Sequence, residues 1–369
     1  MLPIQTEHHS FGPLSLPPYL IAEIGLNHNG DFDLARRMAD AAHANGAHAA
    51  KFQLYRSRDF INPGARLGDG PPGSLADFFA QFELQPDEWH RLAAHVREQG
   101  LDFFCSVFDR PSLALYAELN ARLIKIASCD IDNRMLFEDV LEDFVAPGAR
   151  DKTRPAILFS TGTSDEAEVE RALAYIPPET PRVIFECVSS YPAAPADYNL
   201  SVLRRWRQRY RCPVGLSDHT MGNSLSIAAV ALGARAIERH FTLDRHMPGP
   251  DQSISLDPED FRRMSSDIAE VFAARGAGRK TPAESEAAPR KFGRRTIYAA
   301  HTIPAGHAPS REDLIAQRPG GGVSPDVYPD VIGRLAVREI PAGEAVPFPD
   351  GSRSVATGGD SPTGSESGE

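Results

Sequence analysis

Two histidines set the chemistry to be explained. His219 closes the run Gly215-Leu216-Ser217-Asp218-His219-Thr220, and His240 follows 21 residues later in Ile237-Glu238-Arg239-His240-Phe241. Each ends a short apolar run that reads as a buried strand, and residues 224–232 between them read as a small-residue helix closed by Gly233. In a parallel sheet, a strand–helix–strand unit brings both imidazoles to one crevice. Convergent imidazoles hold divalent metals. Zinc asks for a third nitrogen or sulfur ligand, whereas manganese accepts water and carboxylate for the rest. A single histidine at a strand end is ordinarily a hydrogen-bonded structural residue. The matched pair, with Asp218 and Glu238 beside it, points to a site.

Lys51 and Lys125 each interrupt an apolar run, in Ala49-Ala50-Lys51-Phe52-Gln53 and Leu123-Ile124-Lys125-Ile126-Ala127. A buried ammonium is costly unless an anion pairs with it. For either lysine alone, a salt bridge to Glu23 or Glu238 suffices. Both together, with Ser160-Thr161-Gly162 opening a helix, make an anion site for phosphate or carboxylate. A Schiff-base lysine is the competing chemistry.

These groups need a scaffold. Apolar runs at 19–24, 47–54, 101–108, 123–127, 156–160, 183–188, 214–217 and 236–241 are continuous rather than alternating, as in strands buried on both faces. Helical patterns lie between them. Leu34, Met38 and Ala41 share one face before Gly46; Thr163 and Glu166 form a capping box; Asp257-Pro258 starts a helix. Eight strands alternating with helices predict an α/β fold of the (β/α)8 barrel type, with an open doubly wound sheet as runner-up. No Gly-x-Gly-x-x-Gly follows the first strand, which counts against a dinucleotide site. In a barrel the strand ends carry chemistry. Here they supply Glu23, Lys51, Gln53, Ser106, Lys125, Ser128, Asp130, Ser160, Ser189, Tyr191, Ser217, His219, Glu238 and His240.

The chain divides into an extension (1–18), a barrel domain (19–275), a polar linker (276–292), a small β domain (293–350) and a Gly/Ser/Asp/Glu-rich tail (351–369) expected to be disordered. The small domain contains an echo: Thr302-Ile303-Pro304-Ala305-Gly306 recurs as Glu339-Ile340-Pro341-Ala342-Gly343, implying a pseudo-symmetric module. Of 369 residues, 41% are hydrophobic and 24% charged, and the net charge is −11. That balance, without basic runs, argues against nucleic acid as a partner. No apolar run reaches membrane-span length, and residues 1–18 lack the pattern of a signal peptide. The four cysteines form no C-x-x-C pair, so free thiols in a cytoplasmic protein are expected.

The motifs Ile21-Ala22-Glu23-Ile24-Gly25-Leu26-Asn27-His28, Lys51-Phe52-Gln53, Ser160-Thr161-Gly162, Gly215 to Thr220, Glu238-Arg239-His240-Phe241 and Pro248-Gly249-Pro250-Asp251 together resemble the sialic acid synthase family. Arg318-Pro319-Gly320-Gly321-Gly322, Ser324-Pro325 and Val331-Ile332-Gly333 resemble its C-terminal antifreeze-like (SAF) domain, a β-clip. The resemblance implies metal-dependent condensation of phosphoenolpyruvate with an open-chain N-acylated hexosamine aldehyde, N-acetylmannosamine or a related sugar. The product would be a nine-carbon 2-keto-3-deoxy sugar acid. It implies His219 and His240 on Mn2+ (Mg2+ or Co2+ as substitutes), and Lys51, Lys125, Ser128, Ser160 and Ser106 on phosphoenolpyruvate. Ser189 and Ser217 join the substrate-binding set. Glu23, Gln53 and Asp130 would handle water, and Asp251 and Tyr191 would orient the sugar. It also implies a domain-swapped homodimer in which Arg318 reaches the partner's bound sugar.

The chain departs from the family pattern at Ser128-Cys129-Asp130, at Glu186 to Tyr191, at Cys105-Ser106-Val107 and at Ala76, around the acceptor rather than the donor. Two other functions fit the residues. One is a pyruvate aldolase with Lys125 as Schiff base. The other is a non-catalytic carbohydrate-binding or assembly protein, which would have no need of the histidine pair.

Overall fold

The computed structural model describes residues 3–146, 155–276 and 278–347. The expected tail, 351–369, lies outside them. The chain forms two compact units, Met1–Ala277 and Gly278–Glu369.

In the first unit eight parallel strands close into a barrel. They are β1 (Tyr19–Gly25), β2 (Ala49–Leu54), β3 (Asp102–Val107), β4 (Leu123–Ile126), β5 (Ala156–Ser160), β6 (Arg182–Cys187), β7 (Val214–Ser217) and β8 (Ala236–His240). All but two of their residues, Gln53 and Arg182, are buried, which is why their sequences run apolar without alternation. β8 pairs with β1 to close the ring, aligning His240 with Glu23. Registers Glu23–Lys51, Gln53–Ser106, Ser106–Lys125 and Ser217–Glu238 then fix the heights of the polar groups. At Gly215 an added Cβ would come within 2.6 Å of the Phe185 ring, so only glycine lets that ring fill the space between β6 and β7.

Local chemistry sets the helices. α1 (Phe32–Ala44) starts where Asp31 accepts the Leu34 N–H. It buries Leu34, Ala35, Met38, Ala39 and Ala42, and the expected Ala41 packs partly buried against the same core. α2 (Pro86–Glu98), α3 (Arg110–Glu118) and α4 (Arg134–Asp139) follow. α5 (Glu166–Tyr175) corrects an expectation: its capping box is Asp165 with Glu168, not Thr163 with Glu166. Thr163 has φ +66°, a left-handed turn from which a helix cannot propagate, so the start moves two residues on. α6 (Ser201–Tyr210) and α7 (Ser224–Leu232) precede α8 (Pro258–Ala274), which Asp257 caps as expected. Ahead of β1, Ile4–Gln5 and Ser10–Phe11 form a short hairpin whose Phe11 stacks on Tyr19 at 4.3 Å. Among the described residues no helix is long and apolar enough to cross a membrane.

In the second unit β9 (Thr296–Ala299) pairs antiparallel with β10 (Leu314–Gln317). The echoed segments pair with each other. The Ile303 N–H donates to Ile340 O at 2.8 Å, and the return bond is 2.9 Å. Both isoleucines enter one small core with Ile297, Leu314 and Val331. A short helix, Ala287–Gly293, begins inside the polar stretch 276–292 read as a linker and ends one residue beyond it.

Candidate active site

Strand alternation aims Lys51 and Gln53, Glu238 and His240, and Ser217 and His219 to one side of the backbone, two residues apart in each case. Four charged groups meet there. Lys51 Nζ lies 2.5 Å from Glu23 Oε2 and 3.8 Å from Glu238 Oε2. Lys125 Nζ lies 3.4 Å from Glu238 Oε1 and 5.4 Å from the Phe185 ring centroid. Gln53 Nε2 donates to Glu23 Oε1 at 3.2 Å, and Ser217 Oγ donates to Glu238 Oε1 at 3.0 Å. All four charged side chains are at most 6% exposed. Two ammonium groups and two carboxylates make the set neutral.

Its members differ in how firmly they hold their charge. Burial opposes the charge on Lys51, but Glu23 and Glu238 outweigh it and raise its pKa. Burial dominates at Lys125, whose pKa falls below the ordinary lysine value against the pull of Glu238. Burial also opposes ionisation of Glu238, yet Lys125 and Lys51 hold its carboxyl well below the usual range.

The imidazoles stand beside this set. The His219 and His240 ring centroids are 5.5 Å apart, and the Tyr191 ring covers both, 4.3 Å from His219 and 5.9 Å from His240. His219 Nδ1 donates to Val188 O at 2.7 Å, which makes Nε2 the lone-pair nitrogen; it lies 3.4 Å from Ser217 Oγ, whose proton goes to Glu238. Burial and then His240 lower the His219 pKa to about 4, so the ring is neutral. His240 Nδ1 is buried without a hydrogen-bond partner, and Asp251 Oδ2 lies 3.9 Å from it. Two adjacent imidazoles, one with a buried nitrogen that has no hydrogen-bond partner, are donors of the kind a divalent cation takes. No cluster of three or more His, Cys, Asp or Glu suited to a metal occurs among the described residues.

A second cradle borders the lysines. Ser128 Oγ accepts the Gly162 N–H at 3.0 Å and sits 3.5 Å from Cys187 Sγ. Ser160 Oγ is buried without a partner. A Cβ on Gly162 would stand 2.2 Å from Ser189 Oγ and 2.8 Å from Ser128 Oγ, so the residue must be glycine for the hydroxyls to converge. A cavity of about 470 Å3 flanks this side, lined in part by Thr161, Glu186 and Ser189.

The structure thus brings together Glu23, Lys51, Gln53, Lys125, Ser217, His219 and His240, with Tyr191 and Asp251 at the edge. Ser106 is aligned with Lys125 by register, and Ser128, Ser160 and Ser189 line the neighbouring cradle. The Asp130 carboxylate meets Asn133 at 3.0 Å and Cys129 at 3.5 Å, and burial raises its pKa. Arg318 belongs to the second unit. Glu238, read from sequence as a neighbour of the histidines and a partner for either lysine but given no catalytic or binding role, is the hub that joins both lysines to Ser217. Its place two residues before His240, on the same strand face, was the signal for it. The four cysteines are free.

Comparison with known proteins bears on this arrangement. Residues 38–280 match the NeuB family, and residues 294–350 match the SAF domain. The chain is 31% identical to the N,N'-diacetyllegionaminic acid synthase of Legionella pneumophila, over 89% of this chain and 93% of that protein. It is 32% identical to a pseudaminic acid synthase of Campylobacter jejuni, over 89% and 95%. The crystal structure of an N-acetylneuraminic acid synthetase from Leptospira borgpetersenii superposes with a TM-score of 0.68 at 32% identity, covering 77% of this chain and 95% of that one.

Proposed function

The chain belongs to the NeuB family, a family of synthases of sialic-acid-like sugars, and from that premise we propose that it condenses phosphoenolpyruvate with the open-chain aldehyde of an N-acylated hexosamine. The products are a nine-carbon 2-keto-3-deoxy sugar acid and inorganic phosphate. The observation that carries the reading is the buried, neutral set of Lys51, Lys125, Glu23 and Glu238 beside the His219–His240 pair.

In this reading Lys51 and Lys125 receive the carboxylate and phosphate of the donor, and the hydroxyls of Ser106, Ser128 and Ser160 complete the cradle. Glu23 and Glu238 favour the charged form of both lysines before the donor arrives. C3 of the donor bonds to the aldehyde carbon, and the aldehyde oxygen gains a proton. C2 then carries positive character, which the buried carboxylates stabilise. Water adds to C2 and gives up a proton; Glu23, held by Gln53, is placed to take it. Asp130, its pKa raised, is the alternative acceptor. The tetrahedral carbon then expels phosphate by breaking its C2–O bond and becomes the ketone.

His219 and His240 would hold the divalent cation, Mn2+ before Mg2+ or Co2+, which when bound supplies Lewis-acid polarisation of the aldehyde oxygen. Tyr191, Ser189, Ser217 and Asp251 line the acceptor side. A domain-swapped homodimer, with Arg318 of one copy serving the sugar bound by the other, completes the proposal.

The test is phosphate release by metal-stripped protein given phosphoenolpyruvate, Mn2+ and a panel of acceptors. Relatives named for two different sugar acids are almost equally similar, at 31% and 32%. The panel therefore spans N-acetylmannosamine and the 2,4-diacetamido-trideoxyhexoses. Release that needs both Mn2+ and one acceptor supports the reading; failure to bind either Mn2+ or phosphoenolpyruvate overturns it. The lowered pKa of Lys125 favours one second reading, a Schiff-base pyruvate aldolase. Borohydride trapping with pyruvate decides between them.

A further inference from the structure

The same alternation that turns His219 and His240 inward turns the residue before each of them outward. Those residues, Asp218 and Arg239, meet behind the histidines as an ion pair, Nη1 to Oδ2 at 2.8 Å, with side chains 0% and 1% exposed. Arg239 also donates to Gly222 O and Thr220 O, both at 2.6 Å. Asp218 Oδ1 accepts the Thr220 N–H at 2.9 Å and its hydroxyl at 2.8 Å, while Oδ2 accepts Ser226 Oγ–H at 2.6 Å. One guanidinium on the strand that ends in His240 therefore grips three points of the segment 218–222 that carries His219.

A buried ion pair adds little stability compared with a well-packed apolar pair, but it fixes geometry. We infer that Asp218 and Arg239 are positioning residues that set the separation and facing of His219 and His240. The inference rests on reading those imidazoles as the divalent-cation pair. It gives the Ser217-Asp218-His219-Thr220 and Glu238-Arg239-His240 motifs a shared logic: alternate residues face the chemistry, and the residues between them lock the two strands together.

Asp218→Asn, Arg239→Lys, the paired replacement Asp218→Leu with Arg239→Met, and the milder Ser226→Ala are compared with the parent protein. Thermal melts and near-ultraviolet circular dichroism establish folding; electron paramagnetic resonance of free Mn2+ gives affinity. Folded variants of the ion pair are expected to bind Mn2+ about 10- to 100-fold more weakly, and Ser226→Ala a few-fold more weakly. The inference is overturned if the folded paired variant, or Ser226→Ala should the pair not fold, binds Mn2+ within about twofold of the parent. His219→Ala and His240→Ala separate the two claims. If they leave Mn2+ binding intact, the cation reading falls. The positioning role then stands only if Ser226→Ala shifts the His219 and His240 signals in the 13Cε1-histidine spectrum of metal-free protein, and fails if it does not.

Discussion

Replacing Glu238 by glutamine removes one charge from a buried set that is otherwise neutral. Lys51 loses a carboxylate at 3.8 Å but keeps Glu23 at 2.5 Å, whereas Lys125 loses the one carboxylate within ion-pair distance among the described residues, at 3.4 Å. At an effective dielectric constant of about 20, a pair at that distance is worth roughly 5 kcal/mol. Part of that is offset because the Glu238 carboxylate no longer has to be desolvated. Breaking such a buried pair from one side costs about 3–5 kcal/mol. For a unit of this size the melting temperature should fall by roughly 6–10 °C. The loss should be partly reversible. A donor anion that binds Lys125 restores the missing negative charge, so phosphoenolpyruvate should raise the melting temperature of Glu238→Gln by more than it raises that of the parent. The assay is differential scanning calorimetry of both proteins across a phosphoenolpyruvate series, with Lys125→Met as the control in which the extra gain disappears. A melting temperature within about 2 °C of the parent would refute the electrostatic reasoning. Equal ligand gains in both proteins would refute the assignment of Lys125 to the donor.

Three further outcomes follow from the geometry. Gly162→Ala drives a methyl against the Ser189 and Ser128 hydroxyls, so steady-state kinetics should show KM for phosphoenolpyruvate rising about tenfold while stability changes by no more than ~1 kcal/mol. An unchanged KM removes those serines from the donor cradle. Burial pushes the Glu186 carboxyl up to about 6, so ionising it in the folded state is unfavourable. Its contribution to stability is therefore fully present below the unfolded pKa and lost as pH rises through 6. Urea unfolding of Glu186→Gln should show a gain of roughly 2 kcal/mol at pH 8 that vanishes near pH 4.5; a gain independent of pH would exclude titration as its cause. Asp102 accepts the Tyr19 hydroxyl at 2.6 Å, His9 at 3.1 Å and the His8 N–H at 3.0 Å. Burial opposes its charge, but these bonds win and hold its pKa below the usual value. Asp102→Asn should cost about 2–3 kcal/mol at pH 7, with the deficit closing as pH falls below about 4, where the parent's advantage is lost. A deficit that does not shrink at all as pH falls from about 5 to the acid limit of folding would assign the effect to packing instead.

Much of this protein could be read along the chain because the barrel writes itself locally. A strand buried on both faces has to be continuously apolar, so 156–160 and 214–217 were legible to the residue, and a lysine inside such a run stood out against it. The echoed Ile303 and Ile340 likewise announced a repeated unit. Glu238, beside His240, was already read as pointing to a site. Three things were decided only when the strands closed. Whether Lys125 pairs with Glu238 depends on bringing β4 and β8 across the barrel, 113 residues apart in sequence. That Asp218 meets Arg239 rather than solvent depends on the register of β7 against β8, 21 residues apart. That α5 starts at Asp165 rather than Thr163 depends on the left-handed turn at Thr163. Local patterns record which side of the backbone a residue faces and whether that side is wet or dry. Charge partnership and pKa are set by distances of a few ångströms between residues remote in sequence, and only the closed barrel fixes those.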